Sequence, residues 1–405
     1  MFELAISDIW RYLSIPVTSA VVGWGTNVLA LKMTFYPLNF VGVRPFLGWQ
    51  GIIPAKAESM ARRTVDLMTT RLVGVQEVVD RLDADRVVEE LSPGVEKMLS
   101  QVIDETMQAR YPEIWKLIPE PARQEIYARA AADADEVIRE SLTDLRLEID
   151  DVLDLEEMAV SALLADRAFL NQIFLECGSE EFKFIERSGL YFGFLFGLIL
   201  MVAWYFYDAN WLMPVAGFFI GYLTNFAALK MIFEPASPKK VLGLTWQGSF
   251  LKRQEEVSEA YARLITENIV TTENIMKAMF EGPGSARLLE IIDRHVQDAA
   301  ARHDATAGPV TTLLLGSDGL EALKERVARG VVKAVPSGPL YDVEPYANEA
   351  LDLEDTLRTR LQALPPDQFT GLLRPIFQED EWKLLLVGAV LGLLVGLFQT
   401  FVVFG

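Results

Sequence analysis

Residues 16–37 read PVTSAVVGWGTNVLALKMTFYP, and residues 214–235 read PVAGFFIGYLTNFAALKMIFEP. Each stretch is apolar over the ~20 residues that a helix needs to cross a bilayer. At a constant offset of 198, Gly23, Thr26, Asn27, Ala30, Leu31, Lys32, Met33, Phe35 and Pro37 recur as Gly221, Thr224, Asn225, Ala228, Leu229, Lys230, Met231, Phe233 and Pro235. A membrane span that is copied predicts a duplicated membrane protein.

The match continues outward. After a one-residue slip, Trp49-Gln50-Gly51 recurs as Trp246-Gln247-Gly248, and Glu58 aligns with Glu255. Further on, Leu153-Asp154-Leu155-Glu156-Glu157 parallels Leu351-Asp352-Leu353-Glu354-Asp355, and Glu181-Phe182-Lys183 parallels Glu381-Trp382-Lys383. Two more apolar runs, Gly189–Tyr207 and Leu384–Phe404, carry matching glycines: Gly189, Gly193 and Gly197 against Gly388, Gly392 and Gly396. The expected fold is therefore an all-α membrane protein with four transmembrane helices, built as a tandem parallel repeat of span, helical insert and span. Its domains are the first transmembrane helix (1–36), a soluble helical insert (37–187), a transmembrane hairpin (188–233), a second insert (234–382) and the fourth transmembrane helix (383–405).

Charge sets the orientation. Arg44, Lys56, Arg62 and Arg63 follow span one, and Lys239, Lys240, Lys252 and Arg253 follow span three. Lys183, Arg187 and Lys383 precede spans two and four, whereas the other side has only Arg11. The positive-inside rule places both inserts in the cytoplasm, with both termini and the short hairpin outside. Trp10, Tyr12, Trp204, Tyr205, Tyr207 and Trp211 sit near the opposite ends of the spans, as an aromatic belt does. A cleaved signal peptide does not suit the first span, because Glu3 and Asp8 lead it and an internal copy exists.

The inserts are acidic and amphipathic. Net charge is −20 overall, with about −14 in residues 51–187 and −8 in 234–381, so nucleic acid is not an expected partner. Val65, Met68, Leu72, Val75, Val79 and Leu82 form a heptad stripe, as do Ile265, Ile269, Thr272, Met276 and Met279. Helix breaks are expected at Ser92-Pro93-Gly94, Pro119-Glu120-Pro121, Gly282-Pro283-Gly284, Ser337-Gly338-Pro339 and Pro365-Pro366. No run of alternating residues marks a strand.

Several residues invite a functional reading beside a structural one. Thr26-Asn27 and Thr224-Asn225 place polar groups mid-span: either the two amides meet as glue near the axis, or they line a path. Lys32 and Lys230 either snorkel to the interface or pair with an acid or a phosphate headgroup. Gly23, Gly221, Gly193, Gly197, Gly388, Gly392 and Gly396 mark close helix packing. Trp49, Gln50 and Gly51, with Trp246, Gln247 and Gly248, form either an elbow or a lip that contacts a partner or lipid. His295 and His303 lie on a polar helix and are expected to be solvated. No nucleophile elbow, phosphate loop, dinucleotide fingerprint or zincin motif is present, and one cysteine with two histidines leaves little for zinc. Neither a cofactor nor a metal nor an enzymatic activity is expected.

The order G-x-x-T-N-x-x-A-L-K-M-x-F-x-P (Gly23 to Pro37), G-W-Q-G-I-I-P (Gly48 to Pro54) and G-A-V-L-G-L-L-V-G (Gly388 to Gly396) resembles the DUF445 family of bacterial membrane proteins. The resemblance spans essentially the whole chain. It departs where Ser249-Phe250 replaces Ile-Ile-Pro after the second Trp-Gln-Gly. It implies location and architecture, and it supplies no reaction, cofactor or catalytic residue. The leading expectation is a non-enzymatic envelope scaffold or lipid-handling protein whose paired inserts bind membrane lipid, a protein partner or a second copy. The alternative is an oligomeric transporter or channel.

Overall fold

The computed structural model describes residues 6–43, 47–72, 74–207, 209–241, 244–302, 309–335, 344–372 and 381–403. Arg44, His303, Ser337-Gly338-Pro339 and the end of the fourth apolar run at Phe404 lie outside the described residues, as do the side chains of Arg11 and Trp246. The chain divides into two compact units. The first comprises Met1–Leu67, Val160–Leu264 and Leu357–Gly405, and the second comprises Met68–Ala159 and Ile265–Thr356. Each of the segments 37–187 and 234–382 thus gives its two ends to the first unit and its middle to the second.

Four helices organise the first unit: α1 (Ile6–Phe35), α4 (Ser179–Phe206), α5 (Leu212–Phe233) and α8 (Glu381–Phe398). All four are long and apolar enough to cross a bilayer. A fifth stretch, Ile149–Ala165 with Arg167–Cys177, qualifies only if taken as one span, and it is bent by 95°. Pro16 and Pro214 sit close to the starts of the apolar runs, and Pro214 falls in the first turn of α5, where a missing N–H costs little. The helices pack chiefly as α1 on α4 and α5 on α8. Their outward faces carry exposed apolar side chains, including Val17, Val21 and Leu29 on α1 and Leu195, Ile199 and Val202 on α4. Rows of this kind suit hydrocarbon and are unfavourable in water. At one end Tyr12 meets Tyr205 edge-on at 5.9 Å, and Tyr207 meets Trp211 at 6.0 Å.

Sequence pattern missed two small hairpins here. Val41–Val43 pairs antiparallel with Leu47–Trp49, and Lys239–Val241 with Leu244–Trp246. Three-residue strands are too short to carry a period-two signature, so the expectation of no strand is corrected.

The second unit is a bundle of α2 (Ala84–Arg110), α3 (Glu120–Leu147), α6 (Ser285–Arg302) and α7 (Pro309–Ala334). Packing of α2 on α3, α3 on α6, α6 on α7 and α7 on α2 closes a ring of four. Helix α2 buries Val87, Val88, Leu91, Met98, Leu99, Val102, Ile103 and Met107 at three- and four-residue spacing. Asp83 caps it, accepting from the Asp85 and Arg86 N–H groups. The expected break at Pro93 does not occur, because α2 runs straight through it. Burial of several side chains on each side, at about 1.5–3 kcal/mol apiece, outweighs the ~3 kcal/mol that an interior proline costs. The heptad stripe, by contrast, is not one helix: Ala57–Arg71 ends before Gly74, which starts Val75–Asp80. The second stripe is likewise cut by Thr271, whose hydroxyl caps Thr272–Glu281.

An ionic seam joins α3 to α6. Arg294 reaches Asp144 at 3.1 Å, Arg302 reaches Glu136 at 3.0 Å, and Arg287 pairs with Glu148. His295 is not solvated as expected. Its ring lies between Asp144 at 2.8 Å and Glu140 at 3.2 Å, with the side chain 12 % exposed. The neighbouring acids of α3, spaced four apart, draw it in.

Candidate functional site, an apolar cavity in the second unit

The four-helix bundle of the second unit does not close solidly. It leaves a half-open apolar cavity of about 530 Å³, a size in the range of small-molecule sites. Helix α2 lines it from Val87 through Leu91, Val95, Met98 and Ile103 to Met107. Helix α3 adds Ile126, Ala130, Ala134, Val137 and Ile138, and α6 adds Leu288, Ile292, Val296 and Ala299. Val327, Ala328 and Val331 of α7 complete the wall. The lining is almost wholly aliphatic because all four helices turn their apolar stripes inward. The alanines of α3 and α6 contribute the space, since each is several methylenes short of a close-packed core residue.

Two of the lining residues, Trp115 and Ser141, carry polar groups that are themselves buried. Trp115, on the short helix Pro112–Leu117, is 3 % exposed, and its Nε1 has no hydrogen-bond partner. Ser141 Oγ is also buried and unpartnered. An orphaned buried donor costs about 1–3 kcal/mol. The indole is nonetheless firmly held. The Arg123 guanidinium lies 4.9 Å over the ring and donates to the Trp115 carbonyl at 2.5 Å and the Ile118 carbonyl at 3.1 Å. Met107, Ile103, Ala130, Leu323 and Val327 pack around it. Nearby, Tyr127 donates to Asp104, and burial together with that carboxylate pushes the phenol up to about 12. Arg129, Asp133 and Lys324 also line the cavity.

The residues singled out by sequence lie in the first unit and serve packing. Asn27 Nδ2 donates to the Ile185 carbonyl at 2.6 Å, and Asn225 Nδ2 donates to the Leu384 carbonyl at 3.0 Å. The two amides therefore do not meet each other. Each bonds the backbone of the helix against which its own helix packs. Thr26 and Thr224 hydroxyls donate within their helices, to Gly23 O at 3.0 Å and Gly221 O at 3.3 Å. A Cβ on Gly23 would stand 2.2 Å from Gly189 O, and one on Gly221 would stand 2.1 Å from Gly388 O. Gly193, Gly197, Gly392 and Gly396 are equally close to facing backbone, so these contacts are within one chain. Gly217 against Gly392 belongs to the same set and was not singled out. Asn171, whose Nδ2 donates to Phe35 O at 2.6 Å, was missed as well.

Lys32 is exposed, and Lys230 reaches Glu234 at 3.7 Å. Lys230 also lines a shallower cleft with Phe226, Met231, Pro235 and Lys239. At the elbows, Trp49 Nε1 donates to Met33 O at 3.1 Å and Gln50 Nε2 to Leu38 O at 2.8 Å. Gln247 Nε2 donates to Ala236 O at 3.3 Å. Gly51 and Gly248 press on the ends of α1 and α5, with Cβ positions 2.7 Å from Phe35 C and 2.5 Å from Ile232 O. Trp115 and Ser141 carried no sequence signal, since a cavity arises from how four helices add and not from any one of them.

Among the described residues no cluster of His, Cys, Asp and Glu is suited to a metal. No family model matches the chain, and no solved structure does. A UPF0754 membrane protein of Nostoc sp. is 21 % identical over 435 residues, covering 97 % of this chain and 96 % of the relative. One from Geobacillus kaustophilus is 25 % identical over 209 residues, 45 % of this chain and 53 % of its own. One from Anoxybacillus flavithermus is 36 % identical over 70 residues, 16 % of this chain and 19 % of its own. With four apolar helices able to cross a bilayer and the ordered motifs above, the chain is a homologue of the UPF0754 membrane proteins, the DUF445 family, over most of its length.

Proposed function

We propose that this is a non-enzymatic integral membrane protein of the bacterial inner membrane that holds an apolar ligand inside the bundle of its second unit. The observation that carries the reading is the aliphatic cavity. An almost wholly apolar wall left open to water is unfavourable, at about 25 cal/mol per Å² of apolar surface, so it is costly to maintain without an occupant. A protein already anchored in a bilayer has hydrocarbon at hand.

The same proposal covers the architecture. The chain is a tandem duplication in which each copy runs span, insert and span, and both inserts stand in the cytoplasm. The matched amide bonds of Asn27 and Asn225, and the matched glycine contacts, support the duplication. They also weigh against reading Asn27 and Asn225 as the lining of a transport path, since the Nδ2 of each is bonded to neighbouring backbone. A protein partner or a homo-oligomer is compatible with this reading and is not required by it.

Native mass spectrometry of the full chain, released from detergent, tests ligand retention. The wild type should carry an added mass of lipid size, and Ala134→Phe, which fills the cavity, should lose it while melting at the same or a higher temperature. Equal adducts on both proteins, or none on the wild type, would overturn the proposal.

A further inference from the structure

An exposed apolar row on α5 ends in the cleft that Lys230 and Lys239 share. We propose that this cleft holds the phosphate of an anionic phospholipid, with the two lysines as donors and the acyl chains lying along the row. The site belongs to the first unit and does not depend on the cavity of the second.

Helix α5 has 22 residues. It rises roughly 33 Å at 1.5 Å per residue, which matches the ~30 Å hydrocarbon core of a bilayer. Its end at Phe233 therefore stands at the headgroup layer. Phe219, Tyr222, Leu223 and Phe226 are exposed on it at helical spacing, so they form one row that suits acyl chains. The cleft begins where that row stops. Phe226 and Met231 line its apolar part, and Lys230, Glu234 and Lys239 its polar part.

The second hairpin carries Lys239 to this place. Lys239 pairs in register with Trp246. The hairpin is tied back to the end of α5, where the Gly248 N–H donates to the Pro235 carbonyl at 3.1 Å and Gln247 Nε2 to the Ala236 carbonyl at 3.3 Å. Lys239 is exposed and has no ion pair among the described residues. Lys230 is paired with Glu234 at 3.7 Å, but the two side chains are 57 % and 46 % exposed, and a surface pair of this kind is weak. Two cations and one acid leave the cleft a net charge of +1, the complement of one phosphodiester. A zwitterionic headgroup brings its own cation and gains less. Free phosphate would match the charge and leave Phe226, Met231 and the row beside them without an occupant, so the lipid is the better fit. At the offset of 198, Val41 takes the place of Lys239 and Tyr36 that of Glu234, so this lysine pair has no counterpart at the end of α1.

The experiment uses the full chain in mixed micelles with equal amounts of phosphatidylglycerol and phosphatidylcholine of the same acyl chains, read by native mass spectrometry. Wild type should retain phosphatidylglycerol in preference. Lys239→Gln should cut that preference about fivefold, the worth of one basic residue at an anionic lipid surface, and Lys230→Gln by a similar factor. Lys239→Arg, which keeps the charge, should preserve it. Lys240→Gln removes a neighbouring charge from the opposite face of the strand and should stay within twofold. All three lysines are exposed, so the variants should melt with the wild type in phosphatidylcholine alone. Equal retention of the two lipids by the wild type would overturn the site. Equal losses from Lys239→Gln and Lys240→Gln would reduce it to general surface charge and overturn it as well. Displacement of phosphatidylglycerol by inorganic phosphate at equal concentration would overturn the assignment to a lipid.

Discussion

Single side chains differ in how much their surroundings change them, and Cys177 is changed most usefully. It is 2 % exposed, and burial, aided by the neighbouring Glu176 charge, pushes its thiol from about 9 up to about 12. The folded pKa is raised, so the neutral thiol contributes stability fully below about pH 9, and that contribution fades as pH climbs toward 12. The melting temperature should therefore fall between pH 9 and 11, and Cys177→Ala should flatten that fall. Iodoacetamide at pH 9 should leave the folded chain unmodified and label it after denaturation. Rapid labelling of the folded chain, or an unchanged slope in the alanine variant, would contradict this. Cys177 was legible only as a lone cysteine, since burial belongs to the packed structure. Asn27 and Asn225 were more legible: an amide in a span must find a partner, and each did. Which partner was not legible, because the expectation that they meet depended on where two helices cross.

Helix pairs show the same mixture. Glycines spaced four apart on the second and fourth apolar runs announced close packing, and the backbone contacts of α1 on α4 and α5 on α8 are what that spacing allows. The proline at 93 misled, since local propensity was overridden by burial on both sides of it. The stripe through residues 65–82 misled in the opposite sense: periodicity continued across Gly74 while the helix did not. A quantitative check belongs to the glycine seam. Gly23→Val places a branched side chain where even a Cβ would stand 2.2 Å from Gly189 O, and a backbone atom cannot step aside as a flexible side chain can. Overpacking of this kind costs about 1–3 kcal/mol. Thermal denaturation in detergent should show a clear drop for Gly23→Val, whereas Gly25→Val, which has nothing within 4 Å of its Cβ position, should melt near the wild type. Matching melting temperatures for the two variants would mean that α1 and α4 do not approach as described.

At the scale of the molecule, the decisive question is which side of the membrane each copy occupies. In the duplication proposed above each copy crosses twice, so both copies would enter the bilayer in the same direction and both middles would emerge on one side. The basic residues flanking the runs, such as Lys56, Arg62, Lys239 and Lys240, are the ground for proposing the cytoplasm as that side. The bundle of the second unit draws α2 and α3 from Met68–Ala159 and α6 and α7 from Ile265–Thr356. It can form around the cavity only if both middles share a compartment. Topology and ligand binding are thus one prediction at this scale. Reporter fusions at residues 120 and 310 should both be active from the cytoplasm and both silent from the outside. Opposite signals would separate the two halves of the bundle by the bilayer and remove the cavity with them. Matching signals from outside would reverse the charge-based orientation and leave the bundle and its apolar wall in place.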